Sequence, residues 1–194
     1  MEAKPYLKEV IFQREDVFSF DSYPFNIPAI AKLTSLKFHP DVTFIVGENG
    51  TGKSTLVEAI ALKLGFGIEG GTKNVQIQTH HNNGSDLFNY LKAIKSFKTP
   101  RDNYFLRAES FYNVATYMEE VNYLAGYGRR SLHQQSQFII ATHSPILLAY
   151  PNATIYRLND SGIHKINYEE TEHYMVTKYF LNNYKEMVKN LMME

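Results

Sequence analysis

The 194-residue chain contains no cysteine. That excludes a disulfide framework, a thiolate zinc site, an iron–sulfur cluster and a cysteine nucleophile, and it fits a reducing compartment. Net charge is lacking too: 20 Lys plus Arg balance 20 Asp plus Glu. No bulk field therefore draws the molecule onto nucleic acid or an anionic membrane, and any such contact has to come from a local patch. Long apolar runs are missing, none approaching the roughly 20 residues that cross a bilayer. The opening MEAKPYLKEV has no apolar centre of the kind a secretory leader carries. These absences predict a cytoplasmic protein with no membrane partner. No internal repeat or low-complexity tract is visible. What is present is ordinary for a folded domain: 44% hydrophobic and 21% charged residues, in a chain long enough to bury a core.

The pattern along the chain predicts an α/β protein. Lys8–Arg14 and Leu33–Phe38 read as strands around a Pro-punctuated stretch holding Pro24 and Pro28, which suggests an antiparallel sheet. Val42–Val46 is a continuous apolar run, as in a buried parallel strand. After it, Leu56, Ala59, Ile60 and Leu64 follow helical spacing, with Gly65 as the stop. Ser85–Phe97 reads as a helix, with Ser85 as its cap and Leu87, Tyr90, Leu91 and Ile94 on one face. Weak strand character at Val75–Gln78, a short strand at Asn103–Arg107 and a helix-like stretch to about Leu124 follow the same reasoning. Phe138–Thr142 is a second buried-strand candidate. Asp160-Ser161-Gly162 between two β-rich runs is a hairpin signature, and Glu170–Glu194 has helical spacing.

The chemistry concentrates in Gly47-Glu48-Asn49-Gly50-Thr51-Gly52-Lys53-Ser54, followed by Thr55. This is the GxxxxGK(S/T) pattern of a Walker A phosphate loop. Its glycines let backbone amides turn inward around an anion. Lys53 brings a charge to the β- and γ-phosphates, and the Ser54 hydroxyl is placed to ligate Mg²⁺. The positive end of the following helix points at the same phosphates. A chance match at ordinary residue frequencies occurs in about one chain per hundred of this length. The flanking strand and helix reduce that further.

VTFIVGENGTGKSTLVEAIA resembles the opening of an ABC-class ATPase, in the form seen in the soluble SMC/RecF-like branch. FIIATHSPILL resembles the switch-histidine strand of that class. The likeness is strongest over Leu36–Leu64 and Gln137–Tyr150 and is similar to stand-alone bacterial proteins labelled AAA family ATPase. It implies a P-loop NTPase fold: an ABC-type head with a mostly parallel sheet, flanking helices and an N-terminal antiparallel β portion. In those terms residues 1–40 are the antiparallel portion and 41–65 the phosphate loop and helix. Residues 66–136 are an incomplete helical lobe, and 137–194 carry the histidine strand, hairpin and last helix. It implies ATP and Mg²⁺ as cofactors and His143 as the contact to the γ-phosphate and the attacking water. Glu109 stands where the family has a glutamine reaching Mg²⁺. ATP-dependent homodimerisation and action on DNA are further implications, the latter without support from the net charge.

Two parts of that family pattern have no counterpart here. No apolar run ends in Asp-Glu, the Walker B pair that holds Mg²⁺ and polarises the water. Thr116–Glu120 is the nearest string and lacks an aspartate. No Ser-Gly-Gly signature occurs, and Leu124–Gly128 is only an echo of it. In the related proteins a segment like GRRSLHQQS runs into the signature, whereas here Ser136 is followed at once by Gln137 and Phe138. The missing helix, strand and helix would fill on the order of 50 residues. Three readings stay open: an ATPase, a non-catalytic ATP-sensing module, and a deletion remnant. A GTPase is disfavoured because no Asn-Lys-x-Asp motif occurs, and a P-loop kinase because of the ATHSP strand. Lys92, Lys95 and Lys98, with Arg101 beyond, read as a solvated face, as does the Arg129-Arg130 pair. His80-His81 lacks a carboxylate at metal-ligand spacing. Phe12 or Phe38 is a candidate to stack on adenine.

Overall fold

The computed structural model describes residues 4–67, 85–98, 100, 105 and 136–192. Two sheets organise them, a three-stranded antiparallel one and a four-stranded mixed one.

In the first sheet, β1 (Leu7–Phe12) pairs antiparallel with β2 (Ser35–Lys37) and with β4 (Leu91–Lys95). The buried residues of β1 are Leu7, Val10 and Phe12. Leu7 and Val10 are an odd number of positions apart, which a regular strand would send to opposite faces. The register slips between Leu7 and Glu9, and this bulge brings both to the core. The short helix α1 (Pro28–Ala31) lies in the expected turn region, with Ala29 and Ile30 buried.

The helix predicted over Ser85–Phe97 is not formed. Ser85 does act as a cap, accepting a hydrogen bond from the Leu87 amide at 3.2 Å, but what it caps is a 3-10 turn, Asp86–Tyr90. The chain then straightens into β4. The spacing of Leu87, Leu91 and Ile94 fits a helix locally, yet β1 offers an edge whose amides and carbonyls need partners. The ladder outweighs local propensity. Lys92 and Lys95 therefore sit exposed on a strand and form no helical stripe.

The second sheet is centred on β3 (Val42–Gly47), which runs parallel to both β5 (Phe138–Ala141) and β6 (Thr154–Asn159). Every β3 residue before Gly47 is buried, as the apolar run predicts. Val42, Phe44 and Val46 face one core with Leu148 and Ile155. Ile45 faces the other, with Leu56, Ala59 and Ile60 of α2 (Lys53–Lys63). Two-sided covering of a parallel strand is what allows the unbroken apolar sequence. β5 departs from expectation: Phe138 is 43% exposed, because β5 ends the strand order among the described residues. The hairpin forms as predicted, β6 pairing antiparallel with β7 (Gly162–Ile166). After β5 comes a short helix, α3 (Pro145–Leu148), and the chain closes with the long helix α4 (Glu172–Leu191).

Side chains stitch the two sheets together. The Gln137 amide accepts from the Leu7 amide at 2.9 Å and donates to the Leu7 and His39 carbonyls at 2.8 and 3.0 Å. The Lys4 ammonium donates to Asp41 at 2.5 Å and to the Ser136 carbonyl at 3.1 Å. The Lys4 contact holds the Asp41 carboxyl below its ordinary value of 3.8.

At the end of β3 the backbone approaches β6 very closely. Gly47 has φ +149, and a Cβ there would lie 2.4 Å from the Leu158 carbonyl oxygen. Gly50 has φ +84 with nothing within 4 Å of its Cβ position. Gly47→Ala should therefore lose about 2–4 kcal/mol of stability, against about 1 kcal/mol for Gly50→Ala. Urea-unfolding midpoints of both variants check this, and equal shifts would contradict the close-approach explanation.

Candidate functional site

The parallel strands β3, β5 and β6 all end at one edge of their sheet. The crevice beyond those ends is where such sheets take ligands. Gly47 ends β3 there, and the five residues that follow form a loop which re-enters the fold as α2. The loop is closed by Thr51, whose hydroxyl donates to the Glu48 carbonyl at 2.8 Å. Gly52 stands at the helix N-cap with φ +91, a left-handed conformation. A Cβ there would also come 3.1 Å from Ile27, so both backbone and packing call for glycine.

Lys53 is the first residue of α2 and is 9% exposed. Its ammonium donates to the Gly47 carbonyl at 2.7 Å and to the Glu48 carbonyl at 2.6 Å. Burial pushes it below its ordinary value of 10.5. A buried cation is thus held by the loop's own backbone at the positive end of a helix, an arrangement suited to a phosphate. Ser54 is exposed next to it, while Thr55 is buried with its hydroxyl 3.1 Å from that of Tyr23. Glu48, Asn49 and Gly50 are exposed at the tip.

His143 follows β5 by two residues and lies at the same edge. Gly47, Glu48, Asn49 and His143 line one open cleft of about 340 Å³, together with Glu172 and His173 of α4. Of the predicted run Gly47–Thr55, the structure brings Gly47, Glu48 and Asn49 into one cleft with His143, while Gly50 and Thr51 line a neighbouring hollow with Pro28 and Asp160 and Thr55 turns to Tyr23. Sequence reasoning missed His173. Its ring Nε2 is 2.7 Å from Nδ1 of His143. Nothing in the local sequence marks it, since the contact exists only because α4 packs against α3, the short helix after β5.

Phe12 and Phe38 do not serve as adenine platforms, because they are 3% and 6% exposed. Phe12 is closed in by Phe20 and Phe25, and Phe38 belongs to the same core. Glu109, His80-His81, Arg101, Arg129-Arg130, Val75–Gln78, Thr116–Glu120 and Leu124–Gly128 lie outside the described residues. So do the Asn103–Arg107 strand, apart from the buried Phe105, and the helix-like stretch to about Leu124. Among the described residues no three His, Asp or Glu side chains gather into a metal site, and no helix is long and apolar enough to cross a membrane.

Residues 19–98 match the family model described as an AAA domain. The matched region runs from the aromatic turn before α1, through the loop and α2, to the end of β4. It supports a P-loop, nucleotide-binding ATPase type. No curated protein and no solved structure matches the chain. The match includes Gly47–Thr55 and ends before His143.

The His143 ring is pushed below its ordinary value of 6.5, first by burial and then by the Lys53 ammonium and His173. A histidine depressed in this way is neutral at neutral pH. Its contribution to stability is complete above 6.5 and is lost as pH falls through the lower folded value. In a proton-NMR titration the His143 midpoint should lie below 6.5, and Lys53→Met should raise it. A midpoint unaffected by the substitution would show that the ammonium does not reach the ring.

Proposed function

We propose that the protein binds Mg-ATP through Gly47–Thr55 and is an ATPase-type domain on the soluble ABC plan. The observation that carries the reading is Lys53: a buried ammonium at the start of α2, clasped by two loop carbonyls, at the mouth of three parallel strands. The site fits the ligand. Gly47 and Gly52 leave no side chain in the loop's turns, and the adjoining cleft has the volume for a polyphosphate. Lys53 would shift from the carbonyls toward the β- and γ-phosphates. Ser54 is exposed beside it and would supply a hydroxyl ligand to Mg²⁺, the remaining positions falling to phosphate oxygens and water. The metal would supply charge neutralisation at the phosphates. His143 would donate to the terminal phosphate from the opposite wall. The resemblance adds pairing of two copies over the nucleotide, and it makes the whole chain one ATP-binding domain.

Isothermal titration of the full chain with Mg-ATP tests this. Lys53→Ala should weaken binding by about 10- to 100-fold, the value of one hydrogen-bonded charge. Ser54→Ala should reduce the Mg²⁺ dependence of affinity. Tight GTP binding in preference to ATP would overturn the choice of adenine. Phosphate release in the same samples separates the two uses of the site. Turnover that falls in Lys53→Ala marks a hydrolase. Equal release in both chains, with ATP still bound by the unsubstituted one, marks an ATP sensor.

A further inference from the structure

The phosphate-loop chemistry leaves the partner of His143 unexplained. Both rings are held from behind. On the β5 side, the Thr142 hydroxyl accepts from the Ser144 amide at 3.1 Å, and the Ser144 hydroxyl accepts from the Leu147 amide at 3.4 Å, so His143 sits between two side-chain caps. On the α4 side, the fully buried Thr171 donates to the Tyr168 carbonyl at 2.7 Å and accepts from the Tyr174 amide at 3.3 Å. That caps the helix and fixes His173 in its first turn. The Tyr168 hydroxyl donates to the Pro145 carbonyl at 2.9 Å, tying the two frames to each other. The 2.7 Å contact between the imidazoles is therefore built into the packing.

Such a contact holds one proton, and either ring is able to carry it. If His143 donates from Nδ1, its Nε2 meets the cleft as a bare lone pair, which repels a phosphate oxygen. His173 then carries its proton on Nδ1, which is buried and has no partner among the described residues. If His173 donates from Nε2, its buried Nδ1 is an acceptor unpaired among the described residues, and buried acceptors go unpaired more often than buried N–H groups do. His143 then carries its proton on Nε2, the nitrogen left for the cleft. The burial of one atom on α4 thus selects the donor form of a ring just beyond β5.

We propose that His173 is a positioning residue. Its Nε2–H fixes His143 as the Nε2–H tautomer, so that His143 donates to the terminal phosphate of a nucleoside triphosphate and the site prefers triphosphate over diphosphate. This rests on the nucleotide reading of the loop. Its consequence is regulatory: the first turn of α4 and the terminal phosphate bias one another, because linkage between two contacts on one ring is reciprocal.

The test uses the full chain and three variants: His173→Ala, His173→Gln and Lys53→Ala. Gln keeps a side-chain N–H donor and Ala removes it. Nitrogen NMR of histidine-labelled protein, without nucleotide, reads the His143 tautomer directly. Titration with a non-hydrolysable ATP analogue and with ADP reads the preference. The unsubstituted chain should show His143 protonated on Nε2 and a triphosphate preference of about tenfold or more, the worth of one charge-assisted hydrogen bond. His173→Ala should lose most of that preference on the triphosphate arm, and His173→Gln should retain it. A His143 ring already protonated on Nδ1 overturns the proposal, as does an unchanged preference in His173→Ala. His173→Gln behaving like His173→Ala, while both fold cooperatively, overturns it as well. Failure of the underlying reading looks different: neither nucleotide binds, and Lys53→Ala matches the unsubstituted chain. If nucleotides bind through Lys53 while the His173 variants change nothing, only the histidine pair is refuted.

Discussion

Among the described glycines, Gly47 at the end of β3 leaves the least room for a side chain. At Gly47 the strand is still paired with β6, and the Leu158 carbonyl occupies the space a side chain would need. The same residue's own carbonyl receives the Lys53 ammonium. One backbone position thus sets how near β6 comes to β3, the direction in which the loop leaves the sheet, and where the cation is anchored. The loop tip, α2 and the cleft shared with α4 all take their place from it. The core on both faces of β3 supports that position: Phe44 packs on one side and Ile45 on the other, with no room for the strand to slide.

The sheets share one apolar core around α2, and polar contacts add a second link between them. Gln137 grips Leu7 and His39 with three hydrogen bonds, and Lys4 reaches both Asp41 and the Ser136 carbonyl. These contacts gather the starts of β1, β3 and β5 at the end of the sheet away from the loop. Helix α2 packs between the sheets from the other end, with Leu56 fully buried. The residues that hold the frame and those that line the cleft are therefore segregated along the strands, which lets the ligand edge vary in chemistry while the opposite edge keeps the register.

What was legible in the sequence was whatever depends on neighbours in the chain. The loop between β3 and α2, the Asp160-Ser161 turn and the last helix each carry their own turn or periodicity signal, and each forms where expected. What was hidden depends on distant pairing. β4 has a helical spacing of Leu87, Leu91 and Ile94 and becomes a strand because β1 needs a partner. Phe12 and Phe38 are aromatic in a way that suits a base, but the core cluster they share with Phe25 encloses them. β5 reads as buried from its apolar run, whereas its place in the strand order decides its exposure. His173 had no signal at all, for its meaning lies in a ring 30 positions earlier in the chain.

The clasp on Lys53 also fixes what kind of reaction ligand capture is. The ammonium already has two carbonyl partners at 2.7 and 2.6 Å, so an arriving phosphate oxygen competes with the loop itself. Capture is an exchange of acceptors, and its enthalpy is the difference between two sets of bonds. A small lone anion gains little from such an exchange. On the proposed reading a longer ligand would gain further contacts at the loop tip, at the exposed Ser54 and across the cleft at His143. On the proposed nucleotide reading, the loop's internal bonds would act as a threshold that favours a multiply anchored polyphosphate over a small anion.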